Sequence, residues 1–211
     1  MSTEFPYEVI SEAQFEQHRA RYEPLTVAMR RLIDAALVTD ADEATVRAAR
    51  DKIEQAARLL ERHRRSTPIP AIHEDSGRPV VWTNPVVGLR NPISPPVVIE
   101  YDGDGRCYAD FTLGDAYQGP PGWVHGGICA LVLDHILGEA ATAGLTQPKF
   151  TGTISLRYLR GTPLGRLRAE AWVERVEGVK TFARGQISDA DGVTVEAEGV
   201  FIMPAWARDA G

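Results

Sequence analysis

The chain has 211 residues, of which 44% are hydrophobic and 25% charged, and a formal net charge of −6. These are ordinary globular values, with length enough for one sizeable core and an appendage. The acidic balance speaks for solubility and against nucleic-acid binding.

Two cysteines, Cys107 and Cys129, form no metal-ligand spacing, so reduced thiols in a cytoplasmic protein are expected. Residues 1–17 are acidic and lack a cationic start followed by an apolar run, so no signal peptide is expected. The longest apolar run, 128–133, is far too short to span a bilayer.

Residues 1–66 are helical in pattern and form the first unit of the chain. Within 23–38, where Pro24 sits early, Leu25, Met29, Leu32, Ile33 and Ala36 recur at three and four. Residues 39–42 read as a turn and a helix cap. From 42 to 65, Val46, Ala49, Ile53, Ala56 and Leu60 fall at heptad-like spacing among charged residues. An antiparallel helical pair is expected, with one apolar face that packs on the main domain or on a partner subunit. Residues 67–96 form a proline-rich connector. Its seven prolines break any long element, and Val80-Val81-Trp82 is its one candidate for a short edge segment. A loop of that length is expected to lie along the main domain.

From residue 97 the pattern turns to strands. Residues 97–101, the turn 102–105 and 106–113 read as a hairpin. Four more strands are expected at 151–159, 167–176, 180–188 and 193–203, with tight turns between the last three. Between the two groups lies a glycine-rich turn, Gly122-Trp123-Val124-His125-Gly126-Gly127, that opens a helix. Ile128, Cys129, Ala130, Leu131, Val132, Leu133, Ile136, Leu137, Ala140 and Ala141 leave this helix no polar stripe. A helix apolar all round is expected to be buried on all sides. The expected fold is therefore α+β, six antiparallel strands wrapped around one central buried helix over 97–204. Asp134 sits in the middle of that helix, where an unpaired carboxylate is costly. It has either a specific partner or a task.

The loop 117–127, the acid Asp134 nine residues after His125, and Thr151 entering a strand that continues Leu156-Arg157-Tyr158-Leu159-Arg160 carry a resemblance. Over roughly 85–204 the chain resembles the hotdog-fold thioesterases, most nearly their PaaI-like branch with the THEM acyl-CoA thioesterases. The resemblance implies an acyl-CoA substrate and an active site formed between two subunits of a dimer or a dimer of dimers. It implies no metal and no cofactor beyond the CoA of the substrate. It implies that the His125-Gly126-Gly127 turn holds the thioester carbonyl, that Asp134 is nucleophile or general base, and that Thr151 helps to orient water or the acid. Relatives with an Asn in the loop carry it at the position of Gly119, with Gln118 beside it here.

The residues support a chemistry of their own. Thioester hydrolysis needs a carboxylate near the carbonyl carbon and donors aimed at the developing oxyanion. A helix N-terminus supplies free N–H groups, and glycine lets substrate approach them, so Gly126 or Gly127 is the natural donor. Nine helical residues put His125 and Asp134 on roughly opposite sides and about 13 Å apart along the axis. One carbonyl cannot be served by both from a single helix, so two helices from two subunits are required. His125 reads as a turn-stabilising residue rather than a general base, His135 as structural, and Asp134 as a merely satisfied buried acid is the bland alternative. Arg157 and Arg160 are the candidate contacts to CoA phosphates, in a stretch, 149–184, that holds eight basic and three acidic residues. Hydrolysis of acyl-CoA to free acid and CoA is thus expected. The alternatives are a non-catalytic acyl-CoA-binding protein and, last, an enoyl-CoA hydratase or dehydratase, which needs a paired His and acid. No nucleic-acid partner and no membrane insertion are expected.

Overall fold

A computed structural model describes residues 8–64, 70–102 and 105–208; residues 1–7, Pro68 of the connector, and Gly103 and Asp104 of the expected hairpin turn lie outside the described residues. The chain runs β1 (Glu8–Ile10), α1 (Glu12–Val38), α2 (Glu43–Glu61), β2 (Ala71–His73), β3 (Pro79–Val80), β4 (Glu100–Tyr101) and β5 (Cys107–Leu113). It continues through α3 (Gly126–Ala141), β6 (Phe150–Tyr158), β7 (Gly165–Glu177), β8 (Lys180–Asp189), β9 (Gly192–Ile202) and a last short helix, α4 (Ala205–Arg208).

The main sheet is antiparallel and has six strands in the order β4-β5-β7-β8-β9-β6. Its inner face is built from small residues that line up across the strands. Cys107 pairs with Ala171, Ala171 with Gly185, and Gly185 with Ala197. This row forms a shallow groove that takes the large side chains of α3. Leu133, Ile136 and Leu137 have no exposed surface. A side chain at Gly185 would meet Leu137 at 3.3 Å and the Glu170 carbonyl at 2.7 Å. Burying each such aliphatic residue contributes about 1.5–3 kcal/mol, and the row of small partners makes that burial available to α3.

One expectation is corrected here. The sheet does not wrap the helix: β4 and β6 are its edges, no strand among the described residues closes it, and α3 lies against one face. Along α3, Gly127 is exposed and Ala130, Leu131, Asp134 and Gly138 are only half-buried, at the three- and four-residue spacing of one helical stripe. The apolar composition of α3 therefore reflects a second surface that its own sheet leaves open. The last four strands do not all pair in chain order. β6 pairs with β9 at the far edge, and β5 takes the place beside β7.

The N-terminal part adds a small sheet that the helical pattern of 1–66 does not announce. β1 pairs in parallel with β2, and β2 with β3. α1 runs straight through Pro24 and starts at Ser11, whose side chain and Gln14 form a capping box. It is fastened to the connector by Phe15 stacked on Trp82 at 5.1 Å and by Arg30 donating to the carbonyl and hydroxyl of Ser94 at 3.1 and 3.0 Å. α2 is capped by Asp42 as its sequence suggests, yet it buries none of its residues; Val46, Ile53 and Leu60 stay about half exposed.

Candidate functional site

The loop before α3 is tied at many points. Gly119 donates to the Trp123 carbonyl, Val124 to Thr162 and His125 to Tyr117, all within 2.8–2.9 Å. Gln118, which is exposed, accepts from the Gly122 amide through its Oε1 at 2.8 Å, and its Nε2 has no partner among the described residues. Gly119 is a close approach: a Cβ there would lie 2.9 Å from the His125 Cα, so the loop path shuts out an Asn at this position. Gly161 is another, because the Trp123 ring packs where its side chain would be.

These ties deliver His125 to the N-cap of α3 in an extended conformation. Its Nδ1 accepts from the Gly127 amide at 3.0 Å, and its carbonyl from the amides of Ile128 and Cys129 at 2.8 and 3.3 Å. The Gly126 amide alone of this first turn has no protein acceptor among the described residues. Of the two expected oxyanion donors, Gly127 is thus engaged in the cap and Gly126 is open. The Gly126 carbonyl in turn accepts from the Tyr158 hydroxyl at 2.9 Å.

Further along α3, Asp134 lies on the half-exposed stripe. Its Oδ1 accepts from the Thr151 hydroxyl at 3.0 Å, and Oδ2 has no protein partner among the described residues. Thr151 reaches it because of an irregularity. Ile154 and Leu156 pack on the core, and Tyr158 on Gly126, so alternation would turn residue 152 inward and Thr151 outward. A bulge between Thr151 and Thr153 inserts Gly152 as an extra residue and gives Thr151 the inward slot.

The structure thus brings Asp134 and Thr151 together, and His125 with both glycines. It keeps the two groups apart: eight helical residues separate Gly126 from Asp134, about 12 Å along the axis. The arginines are already paired. Arg157 donates to Glu196 at 2.8 Å while remaining largely exposed. Arg160 grips Asp189 with both terminal nitrogens and also reaches the Gly192 carbonyl. The Arg160 hydrogen bonds hold the Asp189 carboxyl down to about 2.

One cluster escaped the sequence. Glu139, a single turn past His135, is 3% exposed. Arg78 donates to it at 3.3 Å and the Tyr101 hydroxyl makes a short hydrogen bond to it. His135 Nε2 lies 3.4 Å away without hydrogen-bond alignment. Burial pushes the Glu139 carboxyl up, but His135, Tyr101 and Arg78 outweigh it and hold the group below its ordinary value. The only sequence signal was a second acid in an apolar helix. Glu139 also borders a cavity of about 450 Å³ with Phe15, Arg78, Trp82 and Val97 around it; none of the residues of the His125 turn or the Asp134 pair lines it. Among the described residues no cluster of three His, Cys, Asp or Glu is arranged to hold a metal ion, and no helix is long and apolar enough to cross a membrane.

Comparison with known proteins centres on the same segment. Residues 121–196 match the family described as the thioesterase superfamily. The chain is 34% identical over 100 residues to acyl-coenzyme A thioesterase THEM4 of Xenopus laevis, covering 46% of this chain and 45% of that one. It is 29% identical over 109 residues to the Bos taurus protein of the same name, covering 50% and 44%. The chain thus spans about half the length of the curated relatives it matches. A crystal structure of a thioesterase superfamily protein superposes with a TM-score of 0.77 at 38% identity, over 86% of this chain and 94% of that one. Zebra fish thioesterase superfamily member 2 shares the fold alone, at a TM-score of 0.50 and 15% identity over 59% of this chain and 91% of that one.

Proposed function

The chain belongs to the hotdog-fold thioesterase superfamily, and we propose that it hydrolyses acyl-CoA thioesters to the free acid and CoA at a site completed by a second copy of itself. The observation that carries this reading is the environment of Asp134. It is a carboxylate on an open helical stripe, oriented through one oxygen by Thr151 and free at the other. A carboxylate so held acts on the thioester carbonyl carbon directly or as general base on water. In both forms water supplies the hydroxyl of the acid and the proton of the CoA thiol, and the C–S bond breaks.

The oxyanion that develops needs a donor, and the open Gly126 amide at the positive end of α3 is suited to it. With about 12 Å between that amide and Asp134 of the same helix, the donor comes from the α3 of a partner. A twofold axis then makes two equivalent sites. The half-exposed stripe of α3 and the open edge strand β6 are the surfaces such a partner would cover. Gln118, with its Nε2 free beside the turn, is a further donor toward the substrate, while Gly119 acts by letting the loop close. Arg157 is the more available cation for a CoA phosphate, since Arg160 is committed to Asp189.

The test is Asp134→Asn. We expect thiol release from acyl-CoA to be abolished while the variant folds and associates as the wild type does. Full turnover in the variant would remove Asp134 from the mechanism. Tight acyl-CoA binding by the wild type without turnover at any chain length would instead favour a binding protein.

A further inference from the structure

Tyr158 has no part in the roles above, yet it touches the turn on which they depend. It lies at the end of β6, about half exposed, with its hydroxyl 2.9 Å from the Gly126 carbonyl and its ring against the Gly126 Cα. The Gly126 carbonyl and the Gly127 amide belong to one planar peptide unit. That unit is therefore held at both ends, by Tyr158 at its oxygen and by His125 Nδ1 at its N–H. The Gly126 N–H shares a plane with the His125 carbonyl, which accepts from Ile128 and Cys129; with the 126–127 peptide held as well, both sides of the Gly126 Cα are fixed and the direction of that N–H has little freedom left.

We infer that Tyr158 is a positioning residue for thioester hydrolysis: by clamping the 126–127 peptide it aims the open Gly126 amide at the developing oxyanion. The inference rests on the reading of the site given above. It assigns a catalytic consequence to a half-exposed tyrosine whose ring is not needed for the core. The hydroxyl is the part that matters. Burial pushes it above the ordinary phenol range, so it stays a donor. The strand that orients Asp134 through Thr151 at one end thus orients the Gly126 turn through Tyr158 at the other.

The experiment uses the full chain and its Tyr158→Phe variant, which keeps the ring. Thiol release is measured with acetyl-, octanoyl-, palmitoyl- and benzoyl-CoA, alongside thermal unfolding. We expect kcat to fall roughly tenfold, less than the full loss of an oxyanion donor, with KM and the unfolding temperature unchanged. Amide exchange followed by NMR should quicken at Gly127, whose peptide loses one of its two holds. Unchanged kcat and Gly127 exchange would overturn the inference, and so would a loss of rate that merely tracks a lower unfolding temperature. A wild type that turns over none of the four thioesters would instead bring down the functional reading, and the inference with it.

Discussion

Gly126→Pro isolates a single N–H group. Gly126 is the first residue of α3, directly after the His125 cap, the one helical position where proline is favoured because its missing N–H has no intrahelical partner. The preceding residue has φ −61° and ψ 131°, an extended conformation outside the α region that a following proline disfavours. A Cβ at this position would meet Tyr158 at 3.4 Å, an ordinary contact distance. Little stability should be lost, about 1 kcal/mol or less, within the span of ordinary substitutions. The amide lost is the one the turn leaves open, and removal of one oxyanion donor costs about 10²–10³ in kcat, near 3–4 kcal/mol of transition-state stabilisation. The assay is kcat for acyl-CoA hydrolysis beside a urea unfolding curve. A variant that unfolds like the wild type but keeps its kcat would refute the assignment of Gly126 as donor. Mixing this variant with Asp134→Asn protomers under exchange carries the reasoning further. Half of the dimers are then mixed, each with one intact site, so about a quarter of the wild-type activity should return if the two groups act across subunits. No recovery would mean that each chain carries its own complete site.

Thr151→Val removes the hydroxyl donor to Asp134 without changing shape. A hydrogen bond to a charged group is worth about 1.5–3 kcal/mol, so kcat should fall by roughly one to two orders of magnitude, with Thr151→Ser close to wild type; equal losses in both variants would show that the methyl matters instead. Tyr101→Phe should destabilise the protein by about 1.5 kcal/mol at neutral pH, the lower end for a bond to a carboxylate, because Arg78 still holds Glu139. The Glu139 carboxyl titrates lower in the folded chain, so its contribution is complete above the ordinary carboxylate range and is lost as pH falls through the folded value. The gap in unfolding free energy between wild type and Tyr101→Phe should therefore narrow in acid; a gap constant with pH would show that the hydroxyl does not act through the ionised Glu139 carboxylate.

Much of this was legible in the sequence where the information is local. The strand expected at 180–188 is found at Lys180–Asp189, and that expected at 193–203 at Gly192–Ile202, since alternation and turn residues lie within the strands themselves. The acid in the apolar helix and the glycine turn were visible for the same reason. Strand order was not, because β6 could pair with β7 or β9 and nothing in its own residues decides between them. The wrapped sheet was a misreading of α3. Apolar residues all round a helix record that water is excluded from every face, without recording which molecule excludes it. Thr151 enters as a candidate by resemblance rather than by periodicity, since a strict period of two turns it outward; Gly152, which makes the bulge, is the available sign that it faces Asp134. The Glu139 cluster needed partners 61 and 38 positions away in sequence, Arg78 and Tyr101, and no local pattern links them.

The distance between the two ends of α3 also bears on how the protein responds to its own concentration. If the carboxylate of one chain works with the amide of another, as proposed, a lone protomer holds half of two sites and the whole of none. Specific activity then follows mass action: dilution below the dissociation constant of the dimer lowers the rate even at saturating substrate. The linkage runs in the other direction as well. A thioester gripped by both chains of such a dimer would bind the assembled form in preference to the separated one, so the substrate would tighten the association on which the proposed hydrolysis depends.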